Sequence, residues 1–392
     1  MVHWIDLFDG RLDVHPPLAE EQMAAIPARR GAVALLGEHD EPIVLLTAAD
    51  IRSRLRARLQ EPTQEERKKT ADLRQITRTI LWKLAGGHFE ADLHFLELSQ
   101  AIWPEGYGRM LAWKWAWFVH VDPQAKFPHF VRTRDVFGSP GQYVGPFGDG
   151  RSAERFVQAV QDAFDLCRDY NCLRQAPRGP RCAYAQMGRC LSPADGGISM
   201  EDYREVIARA AQFAAGERQP CRQELQARMK IAAAALRFEE AAACKSRLER
   251  LAEFDKPYFA HVARAEQFQF ILVQAGGSRA AKVFLVDRGV VKAADGLDYP
   301  LKAPQLDKLL KDMAGFAAAP KEIGAAERWR IGLVAHYLFG GIQRRGLIIR
   351  WSESTTARQL SEAIESSAEG LKLRAPKPRK RKEGPSGNAR VH

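Results

Sequence analysis

Residues 179–190 read GPRCAYAQMGRC. With Cys167 and Cys172 upstream, Cys182 and Cys190 of this run complete a set of four cysteines separated by four, nine and seven residues. Arg174, Arg178 and Arg181 crowd the nine-residue interval. Four thiols at loop-like spacing suit a soft metal, either tetrahedral zinc or an iron-sulfur cubane, and neighbouring guanidinium groups favour the thiolate forms that such metals need. None of the intervals is the two-residue knuckle typical of zinc. Buried free thiols are the plain alternative.

Downstream, Cys221 to Leu251 carries Leu225, Met229, Ala232 and Leu236, then Ala241, Ala242, Cys244, Leu248 and Leu251, at helical spacing. The pattern predicts two amphipathic helices broken at Leu236, Arg237 and Phe238, with alanines that let them approach closely. A plain helical hairpin satisfies the pattern equally well.

The run from Gly179 to Cys190, followed by Gly197, Ile198, Ser199 and Tyr203, resembles the cysteine-rich segment of UvrC, the nuclease subunit of bacterial excinuclease. LRFEEAAACKSRL resembles the UVR motif, through which UvrC and UvrB pair as antiparallel helices. The resemblance implies a [4Fe-4S] cluster held by Cys167, Cys172, Cys182 and Cys190, and a UvrB-like partner bound through Phe238. The family's last cysteine falls near Ala194 here, and Cys167 is the substitute from the other side.

Upstream, GAVALL and PIVLL are two apolar runs separated by the charged turn GEHDE, which predicts a hairpin, and a helix follows over Ala48 to Leu59. That helix places Arg52 with Arg56, and Arg54 with Arg58, in two basic rows beside Ile51, Leu55 and Leu59. A hairpin followed by an arginine helix resembles the GIY-YIG nuclease domain. Gly31 keeps the family glycine, Arg54 matches the catalytic arginine, and Glu97 stands where a divalent cation, Mg or Mn, would be bound. The tyrosine positions fall on Val33 and on Val44 or Leu45, Asp50 replaces an asparagine, and Gly108 replaces another. Such chemistry needs a base for water, a carboxylate for the metal and a cation for the developing charge. Arg54 and Glu97 supply only the last two. Arg54 as a solvated or phosphate-contacting residue, and Glu97 as a helix residue paired with an arginine, are the plain readings. His39, His88 and His94 are alternative bases, though solvated histidines are commoner.

The segment LAWKWAWFVHV, residues 111–121, reads as one strand with Trp113, Trp115 and Trp117 on a shared face. A half-buried sheet face explains it, and stacking on unpaired bases is the functional alternative. GQYVGPFGDGRSAERF (141–156) resembles the family turn before the cysteines, with Ser152 as a helix cap. FQFILVQ, AKVFLVD and VVKAAD predict three strands, followed by two helices and the strand GLIIRW. No spaced acidic set follows, so the RNase H-like second nuclease of UvrC is expected to be lacking.

At 392 residues the chain is too long for one ordinary core. Hydrophobic content of 46% with 27% charged residues is that of a soluble protein, and no run has the length of a membrane span. The start MVHWIDLFDG lacks the features of an export signal, so a cytoplasmic protein with reduced thiols is expected. The net charge is +11, of which the tail from Leu371 to His392 carries +7, concentrated in Lys377, Arg379, Lys380, Arg381 and Lys382. Such an arm suits salt-dependent DNA contact, as do Arg52, Arg54, Arg56 and Arg58, and a solubilising tail is the alternative.

The fold expected is multidomain α+β. It comprises a lead-in (1–30), a degenerate GIY-YIG-like mixed sheet with helices (31–110), connecting strands and the cysteine segment (111–200), a UVR-like hairpin (201–255), a small C-terminal α/β segment (256–370) and a basic tail (371–392). The resemblance covers about residues 20–300 and implies a truncated UvrC-like, DNA-binding factor of nucleotide excision repair with weak or no nuclease activity. A metal-dependent, structure-specific endonuclease making one incision is the alternative, and an iron-sulfur redox sensor on DNA is a third.

Overall fold

The computed structural model describes residues 3–15, 19–59, 72–277, 279–316, 323–340, 346–369 and 371. The basic tail with Lys377, Arg379, Lys380, Arg381 and Lys382 lies outside the described residues. The fold is α+β, built on three four-stranded antiparallel sheets.

The first sheet has the order β1 (Gly10–Asp13), β4 (Thr79–Leu84), β2 (Gly31–Leu36), β3 (Pro42–Ala48). GAVALL is apolar throughout because β2 lies centrally and is buried on both faces. Its period of two divides the core. Val33 and Leu35 pack with Met23 and Ile26, at and just beyond helix α1 (Glu20–Ala25), and with Ile51 and Leu55 of α2 (Ile51–Arg58). Ala32, Ala34 and Leu36 instead meet Leu98, which comes, past the short helix α3 (Leu73–Ile76), from α4 (His88–Ile102). The two long helices therefore cover opposite faces of this sheet. Gly31 is required by close approach, since a Cβ there would lie 2.2 Å from the Lys83 carbonyl oxygen and 3.0 Å from Ile51 Cδ1.

Helix α2 starts later than the sequence pattern predicts. Asp50 is its N-cap, accepting the Ser53 N–H at 2.9 Å, and Ala48 belongs to β3. Residues 73–84 divide between α3 and β4, and only Thr79–Leu84 pairs as strand.

The second sheet has the order β6 (Val131–Thr133), β5 (Trp117–Val121), β7 (Gln142–Phe147), β8 (Ala263–Arg264). Helix α5 (Gly150–Phe164) is capped by Asp149, which accepts the Ser152 N–H at 2.7 Å, so the cap is Asp149 and not Ser152. Phe147, Phe156 and Phe259 gather at centroid separations of 5.0–6.1 Å, extended by Phe254 and Phe213. The short helices α6 (Tyr170–Leu173) and α7 (Ala183–Gln186) lead to α8 (Met200–Ala214), then to α9 (Arg218–Ala234) and α10 (Phe238–Leu251). Strand β8 returns to pair with β7, so the α9–α10 hairpin leaves the middle unit and re-enters it.

The tryptophan run does not form one strand. Only Trp117–Val121 pairs, and residues 111–116 are irregular. Trp113 is buried and donates its indole N–H to the Trp329 carbonyl at 3.2 Å, while Trp115 packs edge-on against Trp329 at 5.8 Å. A contact with a helix some 200 residues later overrides the local alternation.

The third sheet has the order β11 (Val290–Asp298), β10 (Ala280–Asp287), β9 (Gln269–Gly277), β12 (Leu347–Arg350). On one face Ile271, Val273, Val283 and Leu285 pack on α11 (Ala303–Phe316) and α13 (Ala357–Ser367); on the other, Phe270, Leu272, Phe284 and Val286 meet α12 (Ala325–Leu338) and the start of α4. Polar ties fix this junction. Lys282 bridges to Glu90 at 2.6 Å, the Phe89 N–H donates to Gln274 Oε1 at 3.0 Å, and the Tyr337 hydroxyl donates to Asp92 at 2.6 Å. No helix among the described residues is long and apolar enough to cross a membrane.

Arg52 is a structural arginine. Its guanidinium donates to the carbonyls of Ile26 and Ala24, both at 2.7 Å, satisfying groups at the end of α1. Arg52→Ala is expected to lower the stability of the N-terminal unfolding transition by about 1–2 kcal/mol. Arg54→Ala, at an exposed position, should stay within about 0.5 kcal/mol. Denaturant titration of the two variants checks the difference.

Candidate functional site

The four cysteines of the middle unit come from three turns around α5, α6 and α7. Cys167 follows the left-handed C-cap of α5 at Asp165, and its N–H donates to the buried Tyr203 hydroxyl at 3.1 Å. Cys172 sits on α6, whose N-cap Asp169 accepts the N–H groups of Asn171 and Cys172. Cys182 is the N-cap of α7, and Cys190 follows that helix, accepting the Ser192 N–H on its sulfur at 3.4 Å.

The structure brings Cys190 within hydrogen-bonding reach of both Cys167 and Cys182, and Cys172 lies within electrostatic range of Cys182 and Cys190. Donation from Cys167, helped by the Ser192 N–H, Cys182 and Arg168 and opposed by burial, pushes the Cys190 thiol down. Cys167 is held protonated by that bond and by burial. Desolvation and the Asp169 carboxylate push Cys172 up. Among the described residues no three His, Cys, Asp or Glu side chains are arranged as a metal cage. The donor set is nevertheless what a thiolate-ligated centre uses, namely four thiols in one neighbourhood with one already inclined to ionise.

The cation beside Cys190 is one that spacing did not single out. Arg168 lies within electrostatic range of Cys190, anchored by Asp162 and stacked over Tyr184 at 4.8 Å. Arg181 reaches instead toward Asp195 at 3.9 Å and Arg174 toward the Tyr170 ring at 6.0 Å. Cys221 and Cys244 are further free thiols, on the hairpin.

The hairpin is fixed at its base and bare at its tip. Arg222 pairs with Asp255 at 2.7 Å, Arg218 donates to the Phe254 carbonyl at 2.7 Å, and Arg250 bridges to Asp165 at 2.9 Å. Buried Ala232 and Cys244 lie on facing helices. At the turn Leu236 adopts a left-handed φ of 59°, and the Arg237 N–H closes on the Ala232 carbonyl at 2.8 Å. Three large apolar side chains stand out there: Ile231 is 61% exposed, Leu236 73% and Phe238 66%.

In the N-terminal unit, Arg54 and Arg58 are exposed on α2, whereas Arg52 is tied to α1 and Arg56 pairs with Glu20 at 3.0 Å. Glu97 is half-exposed on α4 beside His94, whose Nδ1 is 3.9 Å away. Because α2 and α4 cover opposite sheet faces, Arg54 and Glu97 are not brought together. Val33 is wholly buried, and Tyr107 is buried against Trp329. His88 accepts from Arg30 at 2.9 Å.

Residues 116–213 match the family described as the UvrC/Cho excinuclease middle domain. UvrABC system protein C of Methanothermobacter thermautotrophicus is 26% identical over 279 residues, covering 66% of this chain and 47% of that protein. The Moorella thermoacetica protein of the same description is 26% identical over 276 residues, with 69% and 43% covered, and that of Syntrophus aciditrophicus 27% over 264, with 65% and 40% covered. No solved structure matches the chain. The chain spans less than half the length of these curated relatives. Over about two thirds of its length it is therefore UvrC-like, with the thiol cluster inside the matched middle domain and the hairpin projecting from it.

Proposed function

We propose that this protein acts in nucleotide excision repair, in the cytoplasm, as a DNA-binding factor that docks a UvrB-like protein through the α9–α10 hairpin and cuts DNA weakly or not at all. The observation that carries the proposal is the exposed Leu236–Phe238 tip on a braced hairpin directly following a UvrC/Cho middle domain. An apolar tip on a rigid stem suits a matching helical hairpin, because little ordering entropy is lost on contact. Val33 at the first tyrosine-equivalent position and Val44 or Leu45 at the second leave no phenol to activate water, and Arg54 and Glu97 lie on opposite sheet faces. Incubation with a purified UvrB-like protein and lesion-bearing duplex tests this: a ternary complex without incision is expected, and failure to bind either partner overturns it.

A metal-dependent single incision is the second reading, favoured by one observation. The Glu97 carboxylate is accessible and has an imidazole neighbour in His94, so it could hold Mg or Mn.

The thiol cluster belongs to the same proposal. Cys167, Cys172, Cys182 and Cys190 would hold a [4Fe-4S] cluster, which supplies, when bound, a cross-link of the α5–α8 loops and a redox-active centre. Protein isolated without oxygen should carry iron, acid-labile sulfide and visible charge-transfer absorption. Cys182→Ser should lose most of the iron, and Cys221→Ser should keep it. Iron-free wild-type protein isolated without oxygen would remove the cluster from the proposal, and stoichiometric zinc would replace it.

A further inference from the structure

Between the irregular tryptophan segment and the end of α12 runs a groove of about 800 Å³, apart from the thiols, the hairpin and the N-terminal sheet. We infer that this groove binds a short unpaired stretch of nucleic acid, its bases against Trp115, Trp117 and Phe339 and its phosphates on Lys114, Arg134 and Arg151. The inference rests on the DNA-binding reading above and adds which form of DNA is held and where.

The groove is built rather than incidental. Gly332 lets α12 lie against the segment, since a Cβ there would sit 2.4 Å from the Lys114 carbonyl oxygen. Gly148 and Gly150 clear the space between the aromatic walls. A Cβ on the first would lie 3.1 Å from the Phe339 ring, and on the second 3.0 Å from the Trp117 ring.

Its charge is one-sided. Lys114, Arg134 and Arg151 are exposed, and none of them makes an ion pair among the described residues, although Arg151 lies within electrostatic range of Asp149. Arg132 is already engaged, with Glu154 at 3.3 Å and the Gly150 carbonyl at 3.1 Å. The acid lining the groove, Asp149, is engaged as the cap of α5. His336 adds an exposed imidazole on the α12 side. The Arg134 guanidinium lies 4.4 Å from the Trp117 centroid, which combines a phosphate donor with an aromatic surface.

Aromatic walls and free cations in one groove select for an unpaired strand. A base stacked on an aromatic ring contributes roughly 1–3 kcal/mol, irrespective of its identity. A duplex keeps its base faces inside the helix and offers only phosphates, so the aromatic walls would contribute nothing. The volume lies within the roughly 300–1,000 Å³ of small-ligand sites, enough for a short piece of single strand.

The test is binding of the full chain to labelled oligo(dT) and to a duplex of equal length, by anisotropy and by quenching of tryptophan fluorescence. Wild-type protein should bind oligo(dT) with quenching. Arg134→Glu, a change at an exposed position, should weaken that binding on the order of tenfold and reduce its salt slope by about 0.7 per lost phosphate contact. Trp117→Ala should remove much of the quenching, and Gly148→Leu, which fills the groove without removing a cation, should also weaken oligo(dT) binding. Duplex affinity should change less than oligo(dT) affinity in all three. If duplex binding persists and Arg134→Glu and Gly148→Leu bind oligo(dT) like wild type, the groove assignment fails while the DNA-binding reading stands. If wild type binds neither nucleic acid, both fail.

Discussion

Phe238→Ala is expected to weaken association with a UvrB-like protein by on the order of thirtyfold, corresponding to the roughly 2 kcal/mol of an interface hot spot. The chain's own melting temperature should be unchanged. The reason lies in the asymmetry of the hairpin. Its base is held by Arg218, Arg222 and Arg250 and packed through Leu225, Leu251 and Phe254, whereas the Phe238 ring is mostly in water and supports nothing beneath it. Removing it deletes contact area without opening a cavity. Leu236→Ala tests the same tip less cleanly, because Leu236 has a left-handed backbone whose strain alanine relieves only in part. Titration calorimetry of wild type and Phe238→Ala against the partner reads the effect, with thermal melting as the fold control. Equal affinities would remove the tip from the interface. Equal affinities together with loss of binding in Arg222→Ala would move the interface to the hairpin base.

Local pattern revealed what was locally determined. GAVALL forms β2 because a doubly buried central strand has no polar positions to disguise it, and PIVLL, half-buried at the sheet edge, forms β3 as its hairpin partner across the charged turn. The alanine-rich hairpin was legible for a similar reason, since its small residues and its break at Leu236 leave one compact arrangement. What escaped was set by distant partners. Trp113 and Trp115 alternate like strand residues, yet both are turned to Trp329 on α12. Strand β8 has two residues and no pattern of its own; its pairing with β7 places residues 263–264 on the middle sheet. Around the four thiols, what spacing did not reveal was the electrostatics. Arg174 and Arg181 are directed to Tyr170 and Asp195, and the cation whose field is felt at Cys190 is Arg168, held in place by Asp162. A signal for Arg168 existed, because it directly follows Cys167 in sequence.

The arginines of α2 carry the other large effect, and the structure divides what composition treats as one basic face. Replacing Arg54 and Arg58 together should lower duplex affinity on the order of tenfold and reduce the slope of log affinity against log salt by about 1.8, at roughly 0.9 for each lost phosphate contact. Replacing Arg52 and Arg56 should leave that slope nearly unchanged and lower stability instead, since their guanidinium groups are occupied by α1 carbonyls and by Glu20. A face acting as a uniform phosphate comb would give equal slopes for the two pairs, so the comparison separates the two arrangements in a single salt series. Cleavage belongs in the same experiment. With Mg or Mn present, wild type and both double variants should leave nicked and lesion-bearing duplexes intact, because the buried Val33 and the separation of Arg54 from Glu97 leave neither a phenol nor a joined arginine-carboxylate site. Metal-dependent incision by wild type, lost in Glu97→Gln while DNA binding survives, would mean that Glu97 with His94 forms a working site on the α4 face. The non-cutting reading would then give way to a single-incision nuclease whose metal and base lie on the opposite side of the sheet from Arg54.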